Sequence, residues 1–266
     1  MTTRVASIKA CSDGKGGIII AWYDNRNGSD DIFAQRLDSL GRKLWDPDGV
    51  PVCTSDNDQN DLRIASDGEG GALIAWGDGR SSGSGSGLYV QRISPSGAPM
   101  WTANGVRALD EDNCCSVASD GLGGAVVVTY GIINRISASG SLLWGTADAP
   151  VEYCTSTSYD KVAGDGNGGA FVAYLDYNLS QASIQHFGPD GTSDWTVKLS
   201  DSGYCFRLVS DGSSGVFVMW DDTTSTIMAQ HVSGSGAALW GSGVQITDAY
   251  SSPYVLGVVP SGTGLI

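Results

Sequence analysis

The chain has 266 residues, 41% of them apolar, with 38 glycines against 8 prolines and a formal net charge of −14; this length admits one large or two smaller all-β domains, and the glycine excess implies many tight turns. The charge repels phosphate backbones and anionic lipid headgroups, which argues against nucleic-acid and membrane-surface partners, and no apolar run approaches the roughly 20 residues that cross a bilayer. Residues 1–13 lack the apolar core of a secretion signal, and the six cysteines (Cys11, Cys53, Cys114, Cys115, Cys154, Cys205) have neither the CxxC spacing nor the nearby histidines of a zinc site.

The first unit (4–54) opens with a short strand a and the turn SDGKGG at 12–17, followed by strand b, IIIAW, ending at Trp22. A loop at 24–31 leads to strand c with the pair Gln35-Arg36, then a glycine turn at 39–41 and a second tryptophan, Trp45, near which strand d begins. The second unit (55–109) repeats this order with SDGEGG, ALIAW ending at Trp76, Gln91-Arg92, a turn at 95–97 and Trp101. In the third (110–155) the series is SDGLGG, AVVVTY to Tyr130, Asn134-Arg135, a turn at 138–140 and Trp144; its apolar run is one residue longer, which predicts a bulge at Tyr130. The fourth (156–200) has GDGNGG, AFVAY to Tyr174, Gln185-His186, a turn at 189–191 and Trp195, and the fifth (201–247) has SDGSSG, VFVMW to Trp220, Gln230-His231 and Trp240. Residues 248–266 read as a partial sixth unit: strand a, the turn and the start of strand b.

Five passes of one order at this spacing match the period of β-propeller blades. Strand b is apolar on consecutive residues, so both its faces must be covered, as happens when blades stack on neighbours. All eight tryptophans fall on the two marked positions, which makes them packing residues first. The expected fold is all-β, a single propeller over residues 1–266 with four-stranded antiparallel blades. Five blades are expected, with six, the last truncated, as the alternative. Because the chain starts directly before a strand a and stops in mid-blade, it also reads as a piece of a longer protein.

The motif SDGxGGxxxAWxDxR, followed by DIFAQRLDSLG and LWDPDGVPVCT in the first unit, resembles a tandem propeller repeat of secreted and cell-surface bacterial and archaeal proteins that carry no assigned activity. The resemblance is close in the first two units and weakens afterwards, where the arginine of WxDxR is lost. It implies a propeller of secreted or cell-surface origin and supplies no catalytic residues. The sialidase Asp-box, SxDxGxxW, is only superficially similar, because here the tryptophan stands nine residues after the aspartate in units one, two and five.

An up-and-down blade puts its a–b and c–d turns at one end of the sheet and its b–c and d–a loops at the other. The first set consists of uniform glycine turns; the second is long, variable and acidic, and loops on a rigid scaffold are where recognition is placed. The candidate ligand-binding residues there are Asp24, Arg26, Asp31, Asp78, Arg80, Tyr159, Asp176, Tyr204, Asp222 and Tyr250. Carboxylates accept sugar hydroxyl bonds and tyrosine rings stack on sugar C–H faces; the competing reading makes these acids strand-end caps, and pairs Arg26 and Arg80 with Asp24 and Asp78. Asp56, Asp58, Asn60 and Asp61 have the alternating oxygens that calcium favours, without the glycine and distant glutamate of an EF-hand. His186 and His231 replace the strand-c arginine, and register accounts for them. Cys114 or Cys115 with Cys154 is a conceivable disulfide whose connectivity spacing cannot fix.

With no HExxH and no histidine beside a nucleophile, the leading expectation is a non-catalytic extracellular binding or scaffold module for glycan or protein. It would need no cofactor, calcium apart, and would be monomeric if the ring is closed. The alternative is a glycoside hydrolase or lyase with paired carboxylates on the same loops.

Overall fold

The computed structural model describes residues 5–80, 87–111, 116–145, 147–148, 161–176, 181–201, 203–222 and 226–247, with two short stretches at 260–261 and 264–265. Each of the five repeats forms one antiparallel four-stranded sheet, here called a blade, with its strands adjacent in chain order. Blade 1 holds β1 (Val5–Ser12), β2 (Ile18–Asp24), β3 (Asp31–Leu37) and β4 (Val50–Cys53), and blade 2 holds β5 (Gln59–Ser66), β6 (Ala72–Asp78), β7 (Gly87–Ile93) and β8 (Val106–Leu109). Blade 3 comprises β9 (Ser116–Ser119), β10 (Ala125–Thr129), β11 (Ile132–Ile136) and β12 (Ala147–Asp148). Blade 4 is β13 (Lys161–Gly164), β14 (Ala170–Asp176), β15 (Gln181–Phe187) and β16 (Ser193–Ser200). Blade 5 is β17 (Tyr204–Ser210), β18 (Val216–Asp221), β19 (Ile227–Val232) and β20 (Val244–Gln245). In the sixth repeat, β21 (Pro260–Ser261) pairs with β22 (Gly264–Leu265).

The chain divides into two compact units, Met1–Ser119 with Gly123–Val127 and Asn134–Gly145, and the remainder. In the first unit, strand a of each blade packs on strand a of the next, β1 on β5 and β5 on β9; in the second, β13 packs on β17. Strand b is buried on both faces in blades 2 and 3, every residue of β6 and β10 being covered, whereas β2 of blade 1 alternates between buried and partly exposed positions. One core joins Ile19, Ala21, Ile32 and Ala34 of blade 1 to Leu62, Ile74 and Trp76 of blade 2. Its counterpart joins Phe171, Ala173 and Ile184 to Phe206, Val218 and Trp220. Each isoleucine, leucine, valine and phenylalanine among them stabilises by about 1.5–3 kcal/mol relative to exposure.

The recurring polar residues close the turns and fasten the strands. Asp13 Oδ1 accepts the Lys15 and Gly17 amides at 2.8 and 2.7 Å, and a Cβ on Gly17 would meet the Leu37 carbonyl at 2.2 Å. The Gln35 amide oxygen accepts the N–H of Arg36 and Trp45, while its nitrogen donates to the Asp46 carbonyl. Gln91 and Gln230 repeat the pattern. One expectation is corrected: Tyr130 is no bulge in strand b. β10 ends at Thr129, and Tyr130 and Gly131, with φ of 45° and 74°, make the two-residue turn into β11. Irregularities fall in strand a instead, where the register shifts between Ala6 and Lys9, Asn60 and Arg63, and Tyr204 and Arg207.

Candidate functional site

At the loop end of blade 2, Asp78 is fully buried. Its carboxylate accepts the Trp76 indole N–H at 2.7 Å, the Arg80 amide at 2.8 Å and the Arg80 guanidinium at 2.6 and 3.0 Å. Arg80 also donates to the Asn104 carbonyl and lies 3.8 Å above the Tyr89 ring centre. Blade 1 repeats the device: Asp24 accepts the Arg26 amide and guanidinium, Arg26 donates to the Asp48 carbonyl, and it sits 3.9 Å over Phe33. Burial raises the Asp78 carboxyl, but the Arg80 and Trp76 donors outweigh it and hold the group below the usual carboxylate range. Asp24 is lowered as well, by Arg26 first. These acids fold the b–c loop back on itself and clamp it to strand d.

The other expected residues are placed less uniformly. Asp31 is buried and accepts the Asn27 side-chain amide at 2.7 Å and the Ser29 hydroxyl at 3.3 Å. Asp222 accepts the Thr226 amide across its loop, and Asp176 ends β14 opposite Gln181. Tyr159 and Tyr250 lie outside the described residues; of Tyr204 only the backbone, paired with Asp221, is described. Cys114, Cys115 and Cys154 lie outside too, while Cys11 and Cys53 are free thiols. Burial pushes the Cys11 thiol up to about 12 and raises Cys53.

Asp56, Asp58, Asn60 and Asp61 are all exposed. Among the described residues, no three or more His, Cys, Asp or Glu side chains converge as metal ligands. The loop that carries these four is nevertheless held in place. The Asp30 amide donates to Asp58 Oδ1 at 3.1 Å, and the Gln59 amide donates to the Asp30 carbonyl at 3.2 Å. The buried Gln59 side chain donates inward to the Asn57 carbonyl at 2.8 Å. Loop b–c of blade 1 and the loop entering blade 2 thus make one connected surface.

At the opposite sheet end the strand-c cations meet the aspartates of the DG turns. Arg36 is bonded to Asp13, and Arg92 to Asp67 and Glu69. His186 Nε2 lies 3.1 Å from Asp165 and His231 Nε2 lies 2.8 Å from Asp211. The histidines thus do what the arginines do in the earlier blades.

No family model matches the sequence, and no curated protein is similar to it. Solved structures are similar in fold. A protein from Dyadobacter fermentans superposes with a TM-score of 0.52 at 11% identity, over 92% of this chain and 82% of that one. The SapL1 lectin in complex with α-methyl fucoside gives 0.51 at 13% identity, over 96% and 85%. The BP39L lectin from Burkholderia pseudomallei gives 0.52 at 12% identity, over 88% and 68%. The chain is a β-propeller.

In this propeller the feature that sequence reasoning missed is the aromatic floor under each arginine. A signal was available: Phe33 and Tyr89 stand two residues before the strand-c glutamine, and an aromatic occurs there only in the two units that keep the arginine.

Proposed function

We propose that this propeller is a non-catalytic carbohydrate-binding module of a secreted or cell-surface protein, and that it recognises glycan at the blade ends where b–c and d–a loops meet. The reading takes the two compact units as one domain, because blade 3 contributes residues to both. The observation that carries it is the loop pair of blades 1 and 2. Asp30, Asp58 and Gln59 fix the backbone there from within, while the side chains of Asp56, Asp58, Asn60 and Asp61 remain exposed as acceptors for sugar hydroxyls. A preorganised polar surface loses little entropy on binding. The fold likeness to the SapL1 lectin, solved in complex with α-methyl fucoside, and to the BP39L lectin supports the class of ligand. Tyr159, Tyr204 and Tyr250 are proposed to add ring faces in later blades.

Asp24, Asp78, Arg26 and Arg80 hold the loops in shape in this reading, since their polar atoms are already bonded within the chain. A glycan array with the purified chain, followed by competition with α-methyl fucoside, tests it. Binding is expected to fall at least tenfold in Asp58→Ala/Asn60→Ala and in the triple Tyr→Ala variant. Silence across glycans, with capture of a protein ligand instead, would reject the carbohydrate reading.

A further inference from the structure

Strand a carries a recurring positive charge. Four residues before the aspartate of the DG turn stand Lys9, Arg63, Lys161 and Arg207, in blades 1, 2, 4 and 5, with Ser116 in blade 3. Their register is the same: each lies opposite the residue that precedes the strand-b aromatic, Lys9 on Ala21, Arg63 on Ala75, Lys161 on Ala173 and Arg207 on Met219. Four of the chain's 15 lysines and arginines thus fall at one position of the repeat. Lysine and arginine share a charge and not a shape, so what recurs there is the charge.

The backbone is shaped around this residue. In blades 1, 2 and 5 the strand-a register shifts just before it, between Ala6 and Lys9, Asn60 and Arg63, and Tyr204 and Arg207, and Ser7 and Asp61 enter the left-handed region within the bulge. Such bulges re-aim the neighbouring side chain and collect beside functional sites. The Arg63 guanidinium turns back on the bulge and donates to the Leu62 carbonyl at 3.0 Å, and Arg207 does the same to Phe206 at 2.9 Å. In the first unit these cations differ from the others. Arg26, Arg36, Arg80 and Arg92 each pair with an aspartate at 2.6 to 3.0 Å. Arg63, half-buried, has no carboxylate partner among the described residues, nearby Asp61 included, and uses only the Leu62 carbonyl of the acceptors its five N–H groups could bind. Lys9 is exposed and likewise without a carboxylate partner among the described residues. Because β1 packs on β5, the two stand at one level of adjacent strands.

We propose that Lys9 and Arg63 form a binding site for a small oxyanion, a sulfate, phosphate or carboxylate group, and that Lys161 and Arg207 form its counterpart in the second unit. Two cations at one level of packed strands make a local positive potential in an otherwise acidic chain. A guanidinium held by its own bulge offers the remaining N–H groups in a fixed fork that matches the oxygens of such a group, and these charge-assisted bonds are the strong ones. The net charge of −14 repels extended polyanions, so the ligand is a single anionic group, free in solution or carried on a sugar. The site does not depend on the glycan surface proposed above, because Lys9 and Arg63 lie within β1 and β5 and not in the loops.

Amide spectra of the full isotope-labelled chain, titrated with sodium sulfate and with sodium glucuronate against sodium chloride at matched ionic strength, test the proposal. Saturable shifts are expected around 8–10 and 62–64 in the first unit and around 161–162 and 206–208 in the second. In Lys9→Gln/Arg63→Gln the first set is expected to need about tenfold more anion, from the loss of charged hydrogen bonds. The second set should persist there, which shows that the variant is folded. Arg63→Lys, which keeps the charge, is expected to retain saturable binding. Saturation by sulfate alone supports the site with a free inorganic anion as its ligand, and saturation by glucuronate supports it with an anionic group carried on a sugar. Shifts that only follow ionic strength, as those with chloride do, overturn the proposal. So does saturable binding that the double variant leaves unchanged in the first unit.

Discussion

Asp78 and Arg80 show how a residue pair that looks like a ligand site can be a structural clamp. Removing Arg80 leaves a fully buried carboxylate facing the Trp76 N–H, the Cys53 thiol and the loop amide, with no cation beside it. Arg80→Ala is therefore expected to cost about 3–5 kcal/mol in urea unfolding. Arg26→Ala should cost less, because Arg26 is more exposed than Arg80; equal losses would argue against the burial account. At the other sheet end His186 is a pH-sensitive version of the arginine clamp. Burial lowers its pKa, but Asp165 and Asp194 outweigh burial and leave it above 6.5, while Asp165 is held below 3.8. The histidine contribution is complete below pH 6.5 and lost as pH rises through the raised folded value; the Asp165 contribution is lost as pH falls below 3.8. Thermal melts should show stability falling above pH 6.5, and His186→Arg should flatten that decline; an unchanged slope would refute the assignment. The register of these histidines was legible in the sequence. The partner Asp194 was not, since only the β15–β16 pairing brings it to the ring.

The strands and their order could be read directly, because period, glycine turns and apolar runs all point to the same blade. Strand a hides its bulge: Ser7 and Asp61 adopt φ of 54° and 51° with nothing in their identity to announce it. The joint between blades, an indole N–H donated to a carbonyl in the c–d turn of the next blade, was half legible, as tryptophans marked for packing whose acceptor lies 37 to 50 residues further along the chain. Trp101→Ala should destabilise by about 3–5 kcal/mol through the cavity left under Gly140, whereas Trp240→Ala should cost less, because Trp240 is already 37% exposed. Gly140→Ala should be costly as well, since its Cβ would meet the Trp101 ring at φ +82°. Comparable losses for Trp101→Ala and Trp240→Ala would mean that Trp240 is covered after all.

Across the molecule, a scaffold of five near-identical blades leaves variation to the loops, and the division of labour follows from it. Strand a apart, repeated residues have repeated partners: Asp with Arg or His and Gln with the backbone inside the blade, Trp with the glycine turn of the next blade. The exposed acceptors of 54–61 belong to no repeated pattern and carry the proposed recognition. The sequence pointed to the acidic loop end but could not separate its buried acids from its exposed ones, because Asp24 and Asp78 are held by an arginine that the loop lays over an aromatic ring of strand c. The most direct test is a titration of the isotope-labelled chain with the tightest glycan from the array, followed by amide spectra. Shifts confined to the b–c and d–a loops, with 24–31 and 54–61 among them, are the predicted result. Shifts centred on the turns at 12–17, 38–41 and 66–71 would contradict the account, because they would place recognition at the end of the sheets assigned to structure alone.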